Sequence, residues 1–129
     1  MTEDIVRLGS LYPTRDLNYV ADTVEGFLLA AVSSRAIGST INIGSGREIS
    51  IGDLADLIIR LIGRPVLVES EAQRVRPEKS EVERLIADNT LAQNLLGWKP
   101  SVSLEEGLSL TIDWMREHLE RYRPGVYVL

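Results

Sequence analysis

The run Ser103-Leu104-Glu105-Glu106 constrains the end of this chain more firmly than any other stretch constrains its surroundings. A serine hydroxyl that accepts from the amide three residues on, with a glutamate there to answer the serine's own amide, is a complete capping box. Behind it Leu104, Leu108, Ile112, Met115 and Leu119 recur at helical spacing, which predicts a helix with one apolar face. Ser50 opens a second helix in the same way. Asp53 is a weaker answering acid there, and it also favours the positive end of the helix dipole. Leu54, Leu57, Ile58, Leu61 and Ile62 make the inward stripe of that helix, and Gly63 with Pro65 ends it. Two one-sided helices need a layer to cover, so attention turns to strands.

Residues Ile5 to Leu8 read as a short strand ending at Gly9, and Pro13 marks a loop through Leu11, Tyr12 and Thr14. From Val20, the apolar positions Val20, Val24, Phe27, Leu28 and Ala31 fall at helical spacing and predict a helix to about Ser33. Thr40, Ile41, Asn42 and Ile43 alternate and are partly β-branched, which predicts a strand; Val66, Leu67 and Val68 predict another. Asp88 can cap a short helix through Ala92, Leu95 and Leu96, stopped by Gly97. Residues 70–83 show no periodicity and are expected to form an irregular loop, of the kind that is commonly functional in a compact domain. The expected architecture is one α/β domain over residues 1–129, with three or four helices around a short mixed sheet.

Composition narrows the partners. The 129 residues carry a net charge of -5, with 44% hydrophobic and 26% charged residues. An acidic balance argues against nucleic acid and anionic membrane, both of which need a basic face. There is no cysteine, so disulfides and thiolate metal sites are excluded. No run approaches the roughly 20 apolar residues of a membrane span, and Met1-Thr2-Glu3-Asp4 does not open a signal peptide; a cytoplasmic location is expected.

Few residues suggest chemistry. Asn42-Ile43-Gly44-Ser45-Gly46-Arg47 sits between an expected strand and helix, as a dinucleotide-binding turn would. Yet the third glycine of G-x-G-x-x-G would fall on Ile49, and the helix starts later, at Ser50. A strand-to-helix turn requiring positive φ is the expectation. His118 is the only histidine and has no partner for metal binding or a triad. The carboxylates Asp53, Asp56, Glu69, Glu71, Glu105 and Glu106 fit caps or exposed faces, and no pair stands out for acid–base work. Arg15-Asp16-Leu17-Asn18-Tyr19-Val20 joins the proline loop to a helix; Asp16 or Asn18 can simply cap that helix. Arg76-Pro77, with Glu81 a short distance on, is either solvated surface or a grip for a ligand bearing phosphate and a diol.

Taken together, Arg15-Asp16, Tyr19-Val20 and Asp22, then Asn42-Ile43-Gly44, Arg76-Pro77 and Leu96-Gly97-Trp98 with Pro100 resemble one family. It is the extended short-chain dehydrogenase/reductase family, specifically the NAD-dependent nucleotide-sugar epimerases and dehydratases. The version of the motif around Glu81, Val82, Leu85, Asp88 and Ala92 looks closest to the 4,6-dehydratases of nucleotide-diphosphate hexoses; 4-epimerases and decarboxylases stay open. The resemblance implies a small C-terminal, substrate-binding subdomain without the Rossmann core. It implies that Arg15 and Arg76 contact the substrate diphosphate and that Glu81 binds the nucleoside ribose, although Glu78-Lys79-Ser80 alters the spacing.

The family's catalytic pair is a tyrosine with a lysine four residues on. Here the positions four beyond Tyr12, Tyr19 and Tyr122 are Asp16, Thr23 and Val126, and Tyr127 has no such position. Neither the pair nor the glycine fingerprint is present, so no catalytic, cofactor-binding or metal-ligating residue is assigned; NAD is implied only for the parent enzyme. The expected partners are a nucleotide-diphosphate sugar and a missing N-terminal Rossmann domain, and the chain is expected to be inactive alone. The alternative is a non-catalytic interaction or structural module that self-associates through the surface the Rossmann domain would cover.

Overall fold

A computed structural model of the chain describes residues 5–75 and 82–122. Arg76, Pro77 and Glu81 lie outside the described residues. The order of elements is β1 (Ile5–Leu8), β2 (Thr14–Arg15), α1 (Val20–Val32), β3 (Ile49–Ser50), α2 (Ile51–Ile62), β4 (Leu67–Ser70), β5 (Arg84–Leu85), α3 (Thr90–Leu96) and α4 (Leu104–Glu117). Single turns of 3₁₀ helix cover Ser34–Ala36, Ala72–Arg74 and Leu119–Arg121. The strands divide into two small sheets rather than one. β1 pairs with β4 in parallel, Ile5 against Leu67 through Leu8 against Ser70. β2 is central in the other sheet, antiparallel to β3 and parallel to β5. That second sheet is mixed, as expected of the α/β fold, and the described residues include four α-helices.

The caps read from the sequence are in place. Ser50 Oγ accepts from Asp53 N at 3.0 Å, and Ser103 Oγ accepts from Glu106 N at 3.2 Å. Gly63 and Gly97 end α2 and α3 with φ of 72° and 67°. Only glycine adopts that left-handed conformation without a steric cost from Cβ. α2 packs on α4, and the α2 stripe is half-buried along its length. On α4, Leu104, Leu108 and Ile112 are half-buried, whereas Met115 emerges into solvent; Leu119 lies past the helix end, in the 3₁₀ turn, and is also exposed. Asp88 acts one residue out of its expected role. Asn89 occupies the N-cap position of α3, and the Asp88 carboxylate accepts from Thr90 N at 2.9 Å, closing a local turn ahead of the helix.

One expected strand does not form, and α1 takes a direction that its periodicity leaves open. The stripe of Val20, Val24, Phe27, Leu28 and Ala31 is exposed at all five positions. α1 instead turns Asp22 and Gly26 inward, because the segment through Ile43 passes so close that a Cβ on Gly26 would lie 2.8 Å from Ile43 Cδ1. The alternating run Thr40, Ile41, Asn42 and Ile43 is not a strand. No edge among the described strands is hydrogen-bonded to it, and without a ladder an extended segment is not a sheet element.

The fully buried apolar side chains among the described residues are Ala92 and Trp98, which sit where α3 meets α1. Trp98 is 1% exposed, and its indole Nε1 donates to the main-chain oxygen of Asp22 at 2.8 Å. The Asp22 carboxylate is 2% exposed. It accepts from Ser101 Oγ, from Ser101 N at 3.2 Å and from Val102 N at 3.1 Å. One residue of α1 thereby holds both the tryptophan and the chain that leads into α4. Burial opposes ionisation of Asp22, but the bonds from Ser101 and Val102 outweigh it and hold its pKa below the usual carboxylate value of 3.8.

Because the folded pKa is the lower one, this stabilisation is complete above the unfolded value and is lost as pH falls through the folded value. Asp22→Asn keeps the shape, but sets an amide group against donors and removes the charge. It is expected to cost about 2 kcal/mol in urea unfolding at neutral pH. Its stability is also expected to fall less steeply than that of the wild type below about pH 4.

Candidate functional site

The loop between β2 and α1 carries Arg15, Asp16 and Asn18, and β2 itself is clamped from both sides. Thr14 N donates to Glu83 O at 2.8 Å and Asp16 N to Leu85 O at 3.0 Å, while Ile51 N donates back to Pro13 O at 3.0 Å. Pro13 is fully buried beneath this junction. A proline has no amide to satisfy, so it fills that position while its carbonyl still accepts.

Asp16 organises the site. Its carboxylate accepts from Ser45 N at 2.9 Å, Gly46 N at 2.9 Å and Ala87 N at 3.2 Å, and from Ser45 Oγ. Burial would raise its pKa, but these four donors, the Ser45 hydroxyl foremost, hold it below 3.8. The amides of the glycine turn are therefore aimed at a carboxylate of the same chain. Gly46 has φ of 70°, as a turn requiring positive φ demands. Gly44 is fixed for a different reason: a Cβ there would run into Ala87 Cβ and come within 2.9 Å of Asp16 Oδ2. Asn89 Nδ2 donates to Gly44 O at 2.8 Å and completes the turn. This turn does not fit a dinucleotide diphosphate, because its donors and its close-approach space are both taken. Asp16 and Asn18 do not cap α1 either. The N-cap is Tyr19, with no side-chain cap bond, and Asn18 Nδ2 donates to Thr23 Oγ1 at 2.8 Å.

Arg15 is half-buried, and its Nη1 donates to Thr14 O at 2.8 Å and Val82 O at 2.7 Å. It thus ties β2 to the residue that follows Glu81 in sequence. Alongside, Glu48 links the strands: it takes a bidentate pair from Arg84 at 2.9 and 3.0 Å and a bond from Thr14 Oγ1 at 2.7 Å. The Arg84 contact, followed by the Thr14 bond, lowers the pKa of Glu48. Of the three expected substrate contacts, only Arg15 is among the described residues, and its bond to Val82 O reaches the first described residue after the undescribed stretch. The other two, Arg76 and Glu81, lie outside the described residues. His118 ends α4, with its ring stacked on Trp114 at 4.3 Å between centroids and Nδ1 2.8 Å from Trp114 O. Among the described residues there is no group of acidic, histidine or cysteine side chains that could hold a metal ion.

The sequence reading missed Asp16 as the centre of the site. A signal was available: the amides of a turn at Ser45 and Gly46 need acceptors, and an aspartate is a strong one. The donor and acceptor, however, are 30 residues apart in sequence, and spacing rules see only neighbours.

The chain is similar to known proteins. The family model described as GDP-mannose 4,6 dehydratase matches residues 1–111. The chain is 37% identical over 128 residues to UDP-glucuronic acid decarboxylase 1 of Xenopus tropicalis, covering 98% of this chain and 28% of the relative. It is 36% identical over 105 residues to a putative UDP-glucose 4-epimerase of Methanocaldococcus jannaschii, covering 81% and 32% respectively. Among solved structures, an epimerase from Methanothermobacter thermautotrophicus superposes with a TM-score of 0.81 at 34% identity, covering 89% of this chain and 34% of that one. The chain thus spans about a third of the length of the relatives it matches. It belongs to the NAD-dependent nucleotide-sugar epimerase and dehydratase family, within the extended short-chain dehydrogenases, and corresponds to the C-terminal part of such an enzyme.

Proposed function

We propose that this chain is the part of a nucleotide-sugar-modifying enzyme that holds the nucleoside diphosphate, and that it does not turn over substrate without the portion it does not span. The observation that carries this reading is Arg15. Its guanidinium sits on a rigid three-strand junction and holds Val82 O, where the Arg76 and Glu81 segment joins the described fold. A guanidinium supported by backbone on both sides loses little freedom on meeting a phosphate. In this reading Arg15 and Arg76 take the diphosphate oxygens, and Glu81 accepts from the ribose diol. The relatives' names cover a decarboxylation and a 4-epimerisation, while the matching family model is named for a dehydration. Chemistry at the sugar therefore varies across the family, whereas the remote diphosphate is a constant handle. Binding energy from that handle orients the reacting sugar. NAD belongs, in this reading, to the other portion, since the one glycine turn here is filled by Asp16. No helix among the described residues is long and apolar enough to cross a membrane; a cytoplasmic setting is part of the proposal.

The test fuses this chain to the preceding portion of the M. thermautotrophicus relative and titrates UDP, GDP and dTDP by calorimetry. Arg15→Ala and Arg76→Ala are each expected to weaken the preferred nucleotide about tenfold or more, as loss of a charge-assisted hydrogen bond does. The weakening should shrink at high salt. Unchanged affinity in both variants would overturn the phosphate role. A second measurement adds NAD to this chain alone: no saturable heat is expected, and saturable binding would contradict the assignment of the glycine turn to Asp16.

A further inference from the structure

The sheet that carries Arg15 is held by very little backbone. Its strands β2, β3 and β5 are two residues each, where strands of about five or six are usual. Ladders this short leave the register open to slippage, and side chains must supply what the backbone does not. Glu48 supplies it. The residue stands immediately before β3, and its carboxylate takes two bonds from Arg84 on β5, at 2.9 and 3.0 Å. It takes a third from Thr14 Oγ1 on β2, at 2.7 Å. Thr14 and Arg84 are direct partners in the β2–β5 register, so one acceptor spans all three strands. A bidentate guanidinium–carboxylate pair is directional as well as attractive, which suits it to setting a position.

Exposure decides what this contact is for. The Arg84 side chain is 69% exposed and that of Glu48 36% exposed. An ion pair so open to water adds little to global stability. Its effect is local: it fixes where β5 begins. Val82, two residues before Arg84, is where Arg15 Nη1 donates at 2.7 Å. The connection from Glu48 to the Arg15 guanidinium therefore runs through Arg84 and the backbone of residues 82–84. The guanidinium is placed only as well as the carbonyl it holds.

We propose that Glu48 is a positioning residue of the nucleotide-diphosphate grip: its bonds to Arg84 and Thr14 set the approach to β5 and thereby the seat of Arg15 on Val82 O. The proposal rests on the reading of Arg15 as a diphosphate contact. A carboxylate repels phosphate, and this one already has three donors, so Glu48 acts through Arg15 and not on the ligand.

The test uses this chain fused to the preceding portion of the M. thermautotrophicus relative, with UDP, GDP and dTDP affinity read by calorimetry and stability by urea midpoint. Glu48→Gln keeps the size of the side chain and removes its charge and one acceptor. It is expected to weaken the preferred nucleotide about fivefold or more, with the urea midpoint unchanged. In an Arg15→Ala background the same change is expected to cost no further affinity, because the residue it acts through is gone. Arg84→Ala is expected to weaken binding as Glu48→Gln does, and the two together no more than either alone, since both open one latch. A purely structural role would lower the midpoint and would persist without Arg15. The proposal is overturned if Glu48→Gln weakens binding equally in the Arg15→Ala background, if its effect adds to that of Arg84→Ala, or if the affinity loss tracks a fall in the midpoint. Where Arg15→Ala weakens binding and Glu48→Gln does not, the positioning role alone falls. Where Arg15→Ala itself leaves affinity unchanged, the nucleotide reading falls and this inference with it.

Discussion

Asp22 is the residue on which the rest of the structure hangs. Its main-chain oxygen fixes the Trp98 indole, and its carboxylate gathers Ser101 Oγ and the amides of Ser101 and Val102. Those contacts join α1 to the loop that closes α3 and to the approach of α4. Burying the tryptophan is worth about 4–6 kcal/mol as an upper bound, from its area and the usual transfer coefficient. The carboxylate holds the neighbouring Ser101–Val102 segment against the same residue. A buried charge without its donors is strongly destabilising, whereas one that receives three hydrogen bonds is an inexpensive way to set the position of two elements.

Asp16 repeats the solution at the other end of the loop before α1. Four donors, drawn from the glycine turn and from Ala87, converge on one carboxylate. The consequence is functional as well as structural. A turn that looks ready to cradle phosphate is committed to an internal anion, and the half-buried arginine next to Asp16, Arg15, stands on the junction where a substrate phosphate is proposed to bind. The fold is thus a scaffold of polar latches with a thin apolar interior, Ala92 and Trp98 being its fully buried apolar side chains among the described residues. Such a domain is suited to sit against something larger, and the exposed face of α1 is where the thinness shows.

Much of this was legible from residues alone. The capped helices beginning at Ser50 and Ser103, the glycine stops at Gly63 and Gly97, and strands near Ile5–Leu8 and Leu67–Ser70 follow from patterns that operate within a few residues, whereas the pairing of those two strands does not. Family membership was legible too, since short motifs in a fixed order survive where overall identity is modest. The direction of α1 was not. A periodic pattern names a face without saying which layer meets it. Residues 40–43 were read as a strand because alternation records a tendency to pair, while pairing itself needs a neighbour that the described chain does not provide.

The sequence by itself determined the capped helices, the turns that need glycine, the absence of a catalytic tyrosine–lysine pair and the family to which the chain belongs. These are local or order-based properties, written in spacings of three and four residues or in the succession of motifs. Only the tertiary structure decided that Asp16 fills the glycine turn, that Asp22 latches Trp98 and that α1 presents an apolar face outward. Each of those rests on groups 29 to 80 residues apart or on which side of a helix finds cover. Hydrogen-bond convergence and burial are properties of the assembled chain, and no periodicity along it encodes them.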